Sequence, residues 1–64
     1  MQFQLQRRIE TYLKSSRTPP ARFGRDSVRD PRLVFDIRNG RRLRPATMRR
    51  LNAYLDEREK AVER

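Results

Sequence analysis

The chain has 64 residues and neither cysteine nor histidine, so disulfides, iron–sulfur clusters and thiol nucleophiles are excluded, and a zinc site would need carboxylates alone. Seventeen Lys and Arg, fifteen of them arginine, stand against eight Asp and Glu, a formal net charge of +9. That excess should attract a polyanion, through its long-range field and through counterion release.

The longest apolar run, Leu33-Val34-Phe35, is too short for a membrane span, and no signal-peptide core precedes it. The chain therefore reads as one cytoplasmic, nucleoid-associated domain spanning 1–64, without cofactor or metal. A domain of this size buries only about 60% of its unfolded surface and is marginally stable. Charge is uneven along it. Residues 1–55 hold 14 basic and 4 acidic residues, whereas residues 56–64 hold 3 and 4.

The first predicted helix covers about 3–15, because Leu5, Ile9, Tyr12 and Leu13 form one apolar stripe at helical spacing. A second is predicted over 19–28, with Thr18 as N-cap and Pro19 in the first turn. Phe23 and Val28 should face inward, and Gly24 should admit a close neighbour. Glycine inside a helix costs about 1 kcal/mol relative to alanine, so a packing reason is expected for it.

A third helix is predicted over 31–39, started by Asp30-Pro31 and stopped by Asn39-Gly40. Leu-Val-Phe and Ile also suit a strand over 32–38, but no second strand exists to pair with it. A longer helix is predicted from about 46 to 60, with Met48, Leu51 and Leu55 on one stripe. Tyr12 and Tyr54 read as core. Val62 could reach a partner.

The segments "RFGRDSV", "DPRLVFDIRNG" and "RRLRPATMRRLNAYL" together resemble the helix-turn-helix domain of the Cro/C1 (lambda-repressor-like, XRE-type) regulators. The likeness is to the small single-domain alphaproteobacterial and phage versions, and it covers about 18–55. Phe23-Gly24 match the family's hydrophobic-then-small pair, and Val34 and Ile37 its two buried apolar residues. One departure is plain: the family usually has glycine in the turn, where this chain offers Val28, Arg29 and Asp30. The resemblance implies an all-α, compact four- to five-helix fold. It also implies transcriptional regulation through double-stranded DNA, with helix 31–39 in the major groove.

On that implication Arg29, Arg32 and Asp36 are the candidate base contacts. Arginine can bond guanine O6 and N7 in bidentate fashion. The bland alternative for Arg32 is an i,i+4 pair with Asp36, worth about 0.2–0.5 kcal/mol. Asp36 would orient Arg32 or accept from a cytosine amine, with orientation the preferred role. Arg22, Arg25, Asn39, Arg41, Arg42 and Arg44 are the candidate phosphate contacts, since the guanidinium fork fits phosphate oxygens. Arg49 and Arg50 are weaker candidates. Phe35 could touch a thymine methyl, but burial in so small a core is the expectation.

A palindromic operator implies a homodimer, assigned to residues 51–62, where positive charge gives way to mixed charge. The carboxylate pairs Asp26/Asp30 and Asp56/Glu57 read as caps and surface charges, so no enzyme is expected. Two other functions stay open. One is a protein-interaction module for an acidic surface, and the other is non-specific nucleic-acid binding in the nucleoid or on RNA.

Overall fold

The computed structural model describes the backbone of residues 2–62 and the side chains of residues 2–60. Four helices follow in order: α1 (Gln2–Ser16), α2 (Pro20–Val28), α3 (Leu33–Arg38) and α4 (Pro45–Val62). The domain is all-α and compact, with a Cα radius of gyration of 10.9 Å. Residues 33–38, which also suited a strand, are helical.

The apolar stripes close on a single core. Leu5, Ile9, Tyr12 and Leu13 from α1 meet Phe23 from α2, Leu33, Val34 and Ile37 from α3, and Leu51 and Leu55 from α4, with Leu43 supplied by the loop. Phe23 is fully buried at its centre. Its ring lies 5.8 Å from Tyr12 and meets Tyr54 edge-on at 5.6 Å. Aromatic pairs in this geometry contribute about 0.5–1.5 kcal/mol beyond their buried area. Val28, Met48 and Tyr54 pack partly buried around this centre.

Helix ends decide where the segments turn. α1 closes with Arg17 in the left-handed region (φ 56°) and the Thr18 N–H donating to the Leu13 carbonyl at 3.2 Å, the long bond of a Schellman motif. This overturns Thr18 as the N-cap of α2. Its hydroxyl faces Ser16 instead, at 2.7 Å, and α2 starts one residue later than expected, behind Pro19. At the end of α3 the sequence signal is met. Gly40 (φ 98°) and Arg41 donate back to Ile37 and Asp36 at 3.0 and 2.9 Å, and no Cβ is present to resist that backbone.

The connection from α2 to α3 is the tightest feature. Arg29 leaves α2 in the left-handed region (φ 59°, ψ 36°), its N–H still bonded to the Arg25 carbonyl at 3.0 Å. Arg29 thus takes the backbone conformation that the expected turn glycine would have filled. The Asp30 N–H donates to the Gly24 carbonyl at 3.0 Å. The Asp30 carbonyl accepts from Leu33 at 3.0 Å, so Pro31 and Arg32 are the corners of a β-turn. Arg32, at φ −94° and ψ 2°, has the third-residue geometry of type I. Asp30 holds this turn, with Oδ1 accepting from the Arg32 N–H at 3.1 Å, but it does not cap α3, whose N-cap is Arg32 without a side-chain cap bond. The helix proper begins two residues later than predicted, because the proline corner is a turn.

Gly24 is the reason the turn can fold back so closely. A Cβ there would lie 2.1 Å from the Asp30 carbonyl oxygen and 3.2 Å from the Leu33 Cβ. The close neighbour is therefore the turn and the start of α3. Phe35 departs from expectation in the other direction, with 44% of its surface exposed. Three consecutive core positions cannot be filled from one helix face: Leu33, Val34 and Ile37 take the inner side, and Phe35 projects outward. Val62, considered for a partner contact, lies outside the described side chains.

Gly24→Ala should destabilise the domain by about 2–3 kcal/mol, although alanine favours helix by about 1 kcal/mol. Urea unfolding checks this, the midpoint falling without a change in slope.

Candidate nucleic-acid interface

The solvent side of α2, the turn, α3 and the following loop carries the candidate residues. Phe23 and Gly24 face inward on α2, which sends Arg22 and Arg25 outward, and both are exposed. Arg29 is exposed at the turn, Arg32 at its second corner, and Asn39, Arg41, Arg42 and Arg44 follow along the loop. Asp36 is half-buried beside them. All nine candidates thus reach solvent to some degree.

Their electrostatic partners divide them. Arg41 Nη1 donates to Asp30 Oδ2 at 2.8 Å and to Asp36 Oδ2 at 3.2 Å. It thereby ties the turn that precedes α3 to the helix itself. The Arg41 hydrogen bond holds the Asp30 carboxyl below its ordinary range, against a smaller opposing effect of burial. The Arg41 guanidinium is correspondingly raised, first by Asp30. Asp36 therefore turns to Arg41 and does not orient Arg32, and the i,i+4 pair of Arg32 with Asp36 is not formed. Arg22 reaches Asp26 at 3.5 Å with much of both side chains in water.

Further ion pairs tie α1 to α3 and α4. Arg38 forms a two-pronged bond with Glu10, 2.8 Å on each arm, linking α3 to α1. That bond, working against burial, holds the Glu10 carboxyl low. Arg8 on α1 donates to Asn52 (2.9 Å), Asp56 (2.5 Å) and Glu59 (2.9 Å) on α4. Its guanidinium is raised by Glu59 first and Asp56 second. Arg58 donates to the Tyr12 hydroxyl at 3.4 Å and lies 5.7 Å from the Tyr54 ring centre.

Among the described residues, six carboxylates (Glu10, Asp26, Asp30, Asp36, Asp56 and Glu59) are thus engaged by arginine. Arg25, Arg29, Arg32, Arg42 and Arg44 form no ion pair with any described residue. Neither do Arg49 and Arg50 on the outer side of α4.

Nothing in the local sequence pattern announced these long-range pairs, because their partners stand 28, 48 and 51 residues apart. The Gln2 side chain was equally invisible. Its Nε2 donates to the Arg41 carbonyl at 2.6 Å and its Oε1 accepts from the Leu43 N–H at 2.9 Å. One amide so pins the α3–α4 loop, and with it the bases of Arg42 and Arg44, to the start of α1.

Part of the segment assigned to dimer contacts is engaged within its own chain. Leu51 and Leu55 are fully buried in the core, and Asp56 and Glu59 bind Arg8. No helix among the described residues is long and apolar enough to cross a membrane. No group of three described carboxylates is placed to hold a metal ion. No protein-family model, curated protein or solved structure matches this chain.

Two outcomes follow from this geometry. Glu10 and Asp30 have depressed carboxyl values in the folded chain, so their contribution is present above the ordinary carboxylate range and disappears as pH falls through the folded values. The melting temperature should therefore drop on acidification below about pH 4. The Glu10→Gln/Asp30→Asn double variant should melt lower at neutral pH and show a shallower acid limb, read by circular dichroism from neutral to acidic pH. Separately, Arg29→Gly should raise stability by about 0.5–1 kcal/mol, because glycine relieves a left-handed backbone at some entropic cost. Chemical denaturation measures that gain.

Proposed function

We propose that the chain is a sequence-specific double-stranded DNA-binding regulator of the Cro/C1 type, with α3 entering the major groove. One observation carries this reading. The carboxylates near the turn and α3 are committed to Arg22, Arg38 and Arg41, while Arg25, Arg29, Arg32, Arg42 and Arg44, on the solvent side of the same stretch, form no ion pair with a described residue. Five guanidiniums without an ion pair over twenty residues suit the closely spaced phosphates of a duplex.

Within this reading the roles separate by position. Arg32 stands at the entry to α3, where a recognition helix touches base edges, and its guanidinium would address a guanine. Arg29 is the neighbouring candidate for base or phosphate. Arg25, Arg42 and Arg44 would hold phosphates, with Asn39 adding a donor and Arg22 joining once Asp26 releases it. Arg41 would act chiefly by keeping Asp30 and Asp36 in place. Asp36 Oδ1 accepts from no described residue and could receive a cytosine amine.

A single domain covers few base pairs, so two copies on a palindromic site about 34 Å apart would supply useful specificity. Any contact from α4 would have to use its outer residues, since Leu51 and Leu55 belong to the core.

The test is selection from a random duplex DNA library at about 0.15 M salt, where non-specific binding is already weakened. An enriched two-fold-related motif supports a dimeric regulator. Arg32→Ala should then relax one base position at a cost of about 1–3 kcal/mol, whereas Arg42→Ala should weaken all sequences alike and lower the salt slope by about 1. Arg29→Gly should bind more weakly while folding more stably. Retention without a motif would sink the specific reading in favour of packaging or RNA binding. No retention at all would turn the search to an acidic protein partner.

A further inference from the structure

Phe35 is half-exposed on the outer side of α3, at the centre of the face proposed to enter the groove. We infer that Phe35 is a specificity-determining residue that reads the 5-methyl group of a thymine; this rests on the DNA-binding reading above.

Three observations lead there. First, position on the helix sets the direction. Leu33, Val34 and Ile37 are buried, so Phe35, two residues after Leu33, projects opposite to the core, with Arg32 and Asn39 exposed on the same outer side. Second, the ring is held. The Arg38 guanidinium lies 5.9 Å from its centre, and both arms of Arg38 are fixed by Glu10 at 2.8 Å. The chain Glu10–Arg38–Phe35 therefore limits the ring's freedom before any ligand arrives, which lowers the ordering cost on binding. Third, an arginine without an ion pair to any described residue, Arg32, stands on the same outer side. The two carboxylates closest along the chain, Asp30 and Asp36, are clasped by Arg41.

An apolar ring beside the Arg38 guanidinium, on the same outer side as Arg32, suits a surface that is anionic overall yet has apolar points. The major groove of duplex DNA meets both conditions, because phosphates line its walls and the thymine methyl stands on its floor. An acidic protein surface would meet the charge but has no fixed methyl at groove depth. Insertion of Phe35 between base pairs is disfavoured by its place inside a helical turn, since side chains that wedge between bases enter from the minor groove.

The experiment uses the full chain and duplexes of the motif enriched by selection. One carries thymidine throughout, and each of the others carries deoxyuridine at a single thymidine, which removes one methyl and nothing else. At one position per half-site, deoxyuridine should weaken wild-type binding about fourfold, the equivalent of about 0.8 kcal/mol for one buried methyl. Phe35→Ala should bind the thymidine duplex several-fold more weakly and lose the difference between it and the deoxyuridine duplex. Phe35→Leu should keep part of it. Melting of each variant is measured alongside, and because the ring is already half in water, Phe35→Ala should fold as well as wild type.

A further duplex, with 5-methylcytosine paired with guanine at the sensitive position, should bind wild type more tightly than the same duplex with unmethylated cytosine. If a motif is enriched and bound but deoxyuridine weakens wild type and Phe35→Ala equally, the inference is wrong and the DNA reading stands. If no motif is enriched, both fail together.

Discussion

The approach of Asp30 to Gly24 is the contact on which the other features depend. The Asp30 backbone rests where a Cβ of residue 24 would be, donating its N–H to the Gly24 carbonyl and leaving its own carbonyl to accept from Leu33. Once that backbone is placed, α3 leaves the turn in one direction only, and Leu33 and Val34 enter the core beside Phe23. The same placement aims the Asp30 carboxylate at both the Arg32 N–H and the Arg41 guanidinium. A glycine that weakens α2 as a helix is thus what lets α2 and α3 pack as a unit. The local loss of about 1 kcal/mol is offset by the burial that the tight turn permits.

Charge is handled by sorting. A chain with this excess of arginine repels itself when compact, and each acidic residue it does have matters. The acidic half of α4 is drawn to Arg8 on α1, Glu10 is drawn to Arg38, and the two aspartates flanking α3 share Arg41. Exposed pairs such as Arg38–Glu10 contribute little energy singly, about 0.2–1 kcal/mol in ordinary measurements. Their effect is chiefly positional: they fix which arginines face inward to partners and which are left to solvent. The core supplies most of the stability, and replacing a fully buried phenylalanine such as Phe23 by alanine costs about 3–5 kcal/mol in comparable sites.

The economy of a 64-residue domain also limits what other surfaces can do. Both leucines of α4 are spent on the core, so the described residues of the helix that looked best suited to a partner present mainly polar side chains, with Met48 and Tyr54 already packed in part against the core. Phe35 is the converse case. The core is already filled by three of its neighbours on α3, and a fourth apolar side chain from so short a helix has nowhere inside to go.

Much of the architecture was legible along the chain. Helical stripes such as Leu5-Ile9-Tyr12-Leu13 are properties of spacing, and Asn39-Gly40 ends a helix by local backbone chemistry, so both could be read without a fold. Pro31 was local too, but a proline corner and a first helical turn share the same backbone angle, so the sequence signal could not tell them apart. Gly24 could be suspected of a close approach, but the atom that approaches, the Asp30 carbonyl oxygen, could not be named.

The ion pairs of Arg8 and Arg38 and the amide clamp of Gln2 join residues 28 to 51 positions apart, and no periodicity links such partners. Composition by itself determined that this protein is strongly cationic and built without cysteine or histidine, and residue spacing determined that it is helical. Only the tertiary structure decided which arginines are neutralised and that Phe35 faces out, because both depend on what lies across the fold.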